Sequence, residues 1–302
     1  MRVFVTGASG FVGSAIVKDL LAAGHKVLGL VRSDKGAAQV AAAGAEALLG
    51  DVNDTAILRQ GATNCDAVIH TAFNHDFSQF KANCEADRKV IEALGEALTG
   101  TDKPLVITSG VGILSYGRPA NENDANEDDR VTVGSDVVPR AASEEAAAVV
   151  ASKGVNVYTV RLPPSVHGAG DHGFVPMVIG IAKEKGESAC VNEGLNRWPA
   201  VHRSDAATLY RLIVEKQPSL KILHAVAETG VPFRGIAEAI GKGLNLPVAS
   251  KSGNDIATHF GWFANFASMG CPASSGKTRK ALGWEPIGPE LIEDIQACYF
   301  LD

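Results

Sequence analysis

A chain of 302 residues is long enough for one large or two modest domains, and for a core that needs no metal or disulfide staple. Apolar residues make up 46% and charged residues 21%, ordinary globular usage that excludes disorder and collagen. The net charge of −6, from 28 basic and 34 acidic side chains, argues against nucleic acid or an anionic membrane as partner, because neutralising phosphates takes clustered Lys and Arg.

In chain order, short β-branched runs alternate with helical-period segments. Residues 2–6 read as a buried strand, 11–23 as a helix, 26–31 as a second strand, 37–43 as an alanine-rich helix and 46–49 as a short third strand. Residues 54–61 follow as a helix capped by Asp54, then a fourth strand at 67–70, a long helix at 77–98 and a fifth strand at 105–108. A helix at 141–151 and a sixth strand at 155–161 complete the alternation before Pro163 and Pro164. Continuous apolar strands separated by helices imply a parallel sheet covered on both faces, a doubly wound α/β fold of Rossmann type. The acid-rich stretch 121–130 (NENDANEDDR) reads as a solvated loop, with a flap over a site as the alternative.

After Pro163 the rhythm breaks, with helical stretches near 174–185, 204–215, 232–241 and 289–297. The expected division is a dinucleotide-binding domain over 1–162 and a smaller substrate lobe over 163–302, some of whose elements cross back. Five scattered cysteines without a Cys-x-x-Cys pair point to small buried hydrophobes in a reducing compartment. The opening Met-Arg-Val-Phe-Val-Thr-Gly turns too soon for a secretion signal's apolar core, and no apolar run approaches the ~20 residues of a membrane span. A cytoplasmic chain acting on a small molecule is expected, with no nucleic-acid or membrane partner; monomer and homodimer are both open.

The strongest local signal is Gly7-Ala8-Ser9-Gly10-Phe11-Val12-Gly13, set directly between the first strand and the first helix. Gly7 permits the tight turn, Gly10 lets the backbone approach a pyrophosphate, and Gly13 allows the helix to pack closely on the strand. The helix N-terminus then offers unpaired N–H groups to phosphate. With this turn, four later motifs resemble the short-chain dehydrogenase/reductase superfamily in its extended and atypical, epimerase/dehydratase-like branches. Gly50-Asp51-Val52 matches the family's pair after the third strand, which implies that Asp51 and Val52 approach the adenine. Val68-Ile69-His70-Thr71-Ala72 resembles its fourth-strand motif, which implies that Thr71 and Ala72 line the cofactor. Arg161-Leu162-Pro163-Pro164-Ser165-Val166-His167-Gly168 places Pro163 and Val166 likewise, and Val201-His202-Arg203-Ser204-Asp205 is similar to a later conserved run of the family. At the end of the second strand Arg32 and Ser33 suit a 2′-phosphate, so the expected cofactor is NADP, although Asp34 next to them is placed to read a ribose hydroxyl.

The catalytic pattern departs from the family. Its reductases use a Tyr-x-x-x-Lys pair, and none of the four tyrosines here has a lysine four residues on. Aligning Ser143 with the family's serine puts Arg140 in the tyrosine place and Glu144 in the lysine place. Ser109, at the end of the fifth strand, is the candidate for holding a carbonyl. Tyr116 and His172 are candidate proton donors, with His167 and water as alternatives; Asn83 and Asp87 are weighed as structural. No ligand spacing suggests a metal. Ser275-Gly276-Lys277-Thr278 mimics the end of a phosphate loop, but the glycine it needs at 271 is Cys271. Phe73, Phe77, Phe80, Trp198 and the aromatic run 259–266 favour an apolar or aromatic carbonyl compound. The expectation is an NADP-dependent oxidoreductase; the rivals are an epimerase or dehydratase on a sugar-like substrate, and a non-catalytic NADP-binding redox sensor.

Overall fold

The computed structural model describes residues 1–116 and 124–300. Three strand–helix units open the chain: β1 (Arg2–Thr6), α1 (Phe11–Ala22), β2 (Lys26–Val31), α2 (Asp34–Ala42), β3 (Glu46–Leu49) and α3 (Thr55–Thr63). There follow β4 (Ala67–His70), α4 (Phe80–Leu98), β5 (Leu105–Gly110), α5 (Ala142–Ser152) and β6 (Val157–Leu162). The later part holds β7 (Ser165–His167), α6 (Phe174–Lys185), β8 (Ser188–Val191), β9 (Arg197–His202), α7 (Arg203–Lys216), β10 (Ile222–His224), β11 (Glu228–Pro232), α8 (Phe233–Leu244) and β12 (Val248–Lys251). Four short helices complete it: α9 (Asn254–Phe260), α10 (Ala264–Ser268), α11 (Gly276–Leu282) and α12 (Leu291–Cys298).

Among the described residues seven strands form one parallel sheet in the order β10-β6-β5-β4-β1-β2-β3. Its central strands are fully apolar because both faces are covered: Val3, Val5 and Ile69 pack under α1 and α7, while Phe4, Val68 and Ile107 pack against the α3–α4–α5 side. The chain order reverses at β1, which lies between β2 and β4, so a crevice opens beyond the carboxyl ends of β1 and β4. This is a Rossmann-like doubly wound fold.

Two elements beyond residue 162 belong to this layer. β10 pairs with β6 at the sheet edge, and α7 supplies Leu209, Tyr210 and Ile213 to the same core as Ile16 and Leu20 of α1. The remaining lobe has its own core around Trp198, Phe233, Ile240 and Phe263, with small sheets β11-β9-β7 and β12-β8. The helix expected at 37–43 begins three residues earlier, because the Ser33 hydroxyl caps it by accepting from the Gly36 N–H at 3.2 Å.

The acid-rich stretch differs from the expected solvated loop at Ala125 and Glu127, while Asp128 and Arg130 are exposed as expected; residues 121–123 lie outside the described residues. Ala125 bridges to Ala273, its N–H donates to Pro272 O at 2.9 Å and its carbonyl accepts from the Ser274 N–H at 2.7 Å. Glu127 is 1% exposed and accepts from both the N–H and the hydroxyl of Thr278 at 2.7 Å. Residues 124–130 are therefore a strap tying the β5–α5 connection to the far end of the chain.

Candidate cofactor cleft and catalytic site

The glycine turn lies at the floor of the crevice. Gly7 has φ +71°, its carbonyl accepts from the Gly10 N–H at 2.9 Å, and a Cβ on Gly13 would stand 2.0 Å from that carbonyl oxygen. The Thr71 hydroxyl donates to Thr6 O at 2.8 Å and the Ala72 N–H to the Thr6 hydroxyl at 3.3 Å, which lashes the end of β4 beside the turn. Gly10 caps α1 without a side chain, and the first turn of α1 carries no acid. The N–H groups of Phe11 and Val12 and the positive end of the helix thus face an open crevice, a cradle that fits a pyrophosphate.

Arg32, at the outer rim, is exposed and makes no ion pair among the described residues; Ser33 stands beside it, and Ser9 lies close to Gly36. Asp51 is exposed, with one carboxylate oxygen taken at 2.8 Å by both the N–H and the side-chain amide of Asn53, while Val52 packs on the α3 side of the sheet. Pro163 is buried just past β6 and Val166 half-buried in β7.

Ser109, 4% exposed at the end of β5, donates to Glu144 Oε1 at 2.8 Å. Glu144 is also held in a fork by Arg161, with Nε to Oε1 at 2.8 Å and Nη2 to Oε2 at 2.7 Å. Arg161 is fully buried and reaches Asp129 O at 2.9 Å through Nη1, which also faces His224 Nε2 at 3.3 Å. The residue in the family's lysine place is therefore a carboxylate that accepts a hydrogen bond from the serine hydroxyl.

Arg140, in the tyrosine place, is fixed as firmly. Its Nη1 donates to Asp87 Oδ2 at 2.7 Å and to Ser143 Oγ, its Nη2 donates to Thr108 O at 2.8 Å, and its guanidinium lies 4.2 Å from the Phe73 ring centre. Asp87 is buried; it accepts from Ser143 Oγ at 2.5 Å and pairs with His70 Nε2 at 2.9 Å, while His70 Nδ1 meets Thr6 Oγ1 at 2.6 Å. Burial opposes ionisation of Asp87, yet the charge of Arg140 and the bonds from His70 and Ser143 overcome it and hold the carboxyl well below 3.8. A guanidinium fixed in the turn before α5 and set against the face of an aromatic ring stabilises negative charge and transfers no proton.

From Phe73 an aromatic wall runs outward. Phe73 meets Phe80 at 6.3 Å, Phe80 stacks on Phe77 at 5.5 Å, and Phe77 stacks on Trp262 at 5.4 Å and touches Phe174 and Phe266. Trp262 is 59% exposed, so the wall reaches solvent.

The candidate proton donors lie apart from one another. Tyr116 is 48% exposed beside the residues that are not described. His172 is exposed, with its ring edge-on to Phe11 at 5.8 Å, toward the phosphate turn. His167 is buried against Asp294 at 2.7 Å, and Asn83 donates to Asp76 O at 2.8 Å in the loop before α4. The fork on Glu144 and the His70–Asp87–Arg140 chain escaped the sequence reading, although each member lies in or next to a motif. Among the described residues no three His, Cys, Asp or Glu side chains are grouped to hold a metal, and no helix is long and apolar enough to cross a membrane. Four cysteines are buried, and burial pushes the Cys271 thiol up to about 12, so it does not act as a nucleophile at neutral pH.

Comparison with known proteins places this geometry. An uncharacterized protein of Schizosaccharomyces pombe is 48% identical over 99% of this chain and 100% of its own. A 2-alkyl-3-oxoalkanoate reductase of Stenotrophomonas maltophilia is 30% identical over 71% of this chain and 66% of its own. Among solved structures, dTDP-glucose 4,6-dehydratase from Streptomyces venezuelae with NAD and TYD bound shares the fold, with a TM-score of 0.78 at 18% identity over 98% of this chain and 95% of that one. The model of the NAD dependent epimerase/dehydratase family matches residues 3–224, and the chain belongs to that family.

Proposed function

We propose that this chain is an NADP-dependent oxidoreductase that reduces the carbonyl of a small apolar or aromatic compound. The observation that carries the reading is the continuous aromatic wall from Phe73, beneath the Arg140 guanidinium, to Trp262. An apolar body lies along it while a carbonyl meets the polar end. The likeness to a reductase of 2-alkyl-3-oxoalkanoates supports the same substrate class.

The backbone of Gly7, Ser9, Gly10, Phe11, Val12 and Gly13 would hold the pyrophosphate, with Asp51 and Val52 at the adenine and Thr71, Ala72, Pro163 and Val166 along the nicotinamide half. Arg32 and Ser33 favour the 2′-phosphate, since Arg32 is exposed and without an acidic partner among the described residues. When bound, the cofactor supplies the hydride. Ser109 turns its hydroxyl from Glu144 to the carbonyl oxygen, and Glu144, clamped by Arg161, keeps the serine in place. Arg140 stabilises the alkoxide as charge develops. The proton that completes the alcohol comes from Tyr116, His172 or water.

The test is a fluorescence titration with NADPH and NADH, followed by turnover on aromatic ketones and 3-oxoacyl compounds. NADPH binding that weakens by on the order of tenfold or more in Arg32→Ala, with NADH unaffected, is the expected cofactor result. Net NADPH oxidation on a carbonyl of this class, lost in Ser109→Ala, is the expected chemistry. Binding without net oxidation would overturn the reductase in favour of an epimerase-like enzyme or a sensor.

A further inference from the structure

We infer that Arg203, with His172 beside it, closes over the outer side of the cofactor's pyrophosphate, across from the N-terminus of α1. This inference rests on the cofactor reading above and assigns that site a second wall. Arg203 opens α7, and its guanidinium lies 5.1 Å from the ring centre of Phe11, the first residue of the helix whose N–H groups face the crevice. The His172 ring meets the same phenylalanine at 5.8 Å. Arg203 and His172, both from beyond residue 162, thus converge on the residue that opens the phosphate cradle.

Two further features mark Arg203 as reserved for a ligand. It is half-buried, and among the described residues its one side-chain hydrogen bond is from Nη1 to Ala169 O at 3.0 Å and it has no carboxylate partner. A guanidinium held in this way keeps most of its donors for a planar, multiply charged acceptor. The loop it crosses also makes room for it. Gly168 has φ +140°, and a Cβ there would stand 3.1 Å from Cδ and 3.2 Å from Cγ of Arg203. A side chain at the glycine after β7 would crowd the arginine along its path toward Phe11. The helix end and Arg203 then grip the pyrophosphate from opposite sides, and the contact joins the later lobe to the nucleotide.

The experiment compares NADPH, which carries a pyrophosphate, with adenosine 2′-monophosphate, which carries none, by titration of the wild type, Arg203→Gln and Arg203→Lys. Arg203→Gln is expected to weaken NADPH binding on the order of tenfold to a hundredfold while leaving adenosine 2′-monophosphate unchanged. Arg203→Lys, which keeps the charge but not the fork, is expected to recover part of the loss. Among the described residues the side chain's one hydrogen bond is to a loop carbonyl, so the glutamine variant should retain the wild-type melting temperature, which a thermal melt checks. Unchanged NADPH affinity in Arg203→Gln, or an equal loss for both ligands, would overturn the assignment while leaving the cofactor site standing. A wild type that binds neither nucleotide would sink the cofactor reading, and this inference with it.

Discussion

Glu144 couples two parts of the site that lie far apart in sequence. It accepts the Ser109 hydroxyl, 35 residues away, and both arms of Arg161, 17 residues away. Arg161 is fully buried and, among the described residues, its side-chain hydrogen bonds go to Glu144, to Asp129 O and to His224. Replacing Glu144 with glutamine removes that charge and leaves a guanidinium in the interior, which costs about 3–5 kcal/mol of unfolding free energy. Denaturant unfolding checks this, and the double variant Glu144→Gln/Arg161→Met should be more stable than the single one, because the stranded charge is gone. A single variant as stable as the wild type would mean that water already reaches Arg161. The sequence supplied each member separately: Ser109 from the end of a strand, Arg161 from a motif, Glu144 from the helix alignment. Their meeting was not legible, because it depends on β5 and β6 lying side by side with Ser109 opposite Arg161. The glycine turn was legible because its whole argument fits within seven consecutive residues. Arg140 was singled out by the alignment but without its partners, since Asp87 stands 53 residues away on α4.

At the scale of elements, the strap at 124–130 shows composition misleading a local reading. Several acids in a row suggest a solvated loop, and Asp128 behaves so, pairing at the surface with Lys277. Glu127 does not, because it is buried and its Oε1 is claimed twice by Thr278, 151 residues later, at the opening of α11. Glu127→Ala strands a buried N–H and a buried hydroxyl and is expected to cost about 1–3 kcal/mol. It should also release the strap, so limited proteolysis should cut within 124–130 in the variant before it does in the wild type. Equal cleavage rates would show that the Ala125–Ala273 bridge alone holds the segment. The parallel strands β1, β4, β5 and β6 were legible for a physical reason: burial on both faces demands an unbroken apolar run. The small strands beyond residue 162 were not, because β7 and β10 have three residues each and β12 alternates between exposed and half-exposed positions.

For the whole molecule, the part after residue 162 completes the sheet and its core, so stability depends on contacts made across the entire chain. His224 sits at such a junction, on the edge strand β10. Its Nδ1 faces Ser274 O at 2.9 Å, a pure acceptor, so the hydrogen is on Nδ1 and Nε2 accepts from Arg161 Nη1 at 3.3 Å. A second proton would set an N–H against a guanidinium. Burial first, and the Arg161 charge second, push His224 down to about 4 from 6.5, although Glu127 and Glu144 oppose the shift. Between those two values the unfolded chain binds more protons than the folded one, so stability rises with pH across this window and is lost as pH falls from about 6.5 to about 4. His167, desolvated despite its bond to Asp294, is pushed down as well and adds in the same direction. Asp87, held well below 3.8, keeps its contribution throughout, so the loss in this window belongs to the histidines. Denaturant unfolding at pH 7.5 and pH 4.5 should show the wild type markedly less stable at the lower pH. His224→Asn, whose amide can still donate to Ser274 O and present an oxygen to Arg161, should lose less stability between the two. An equal fall in variant and wild type would place the acid sensitivity outside His224, at His167, His75 or His259, which burial pushes down as well, and a flat wild-type profile would show that these imidazoles protonate in the folded protein without penalty.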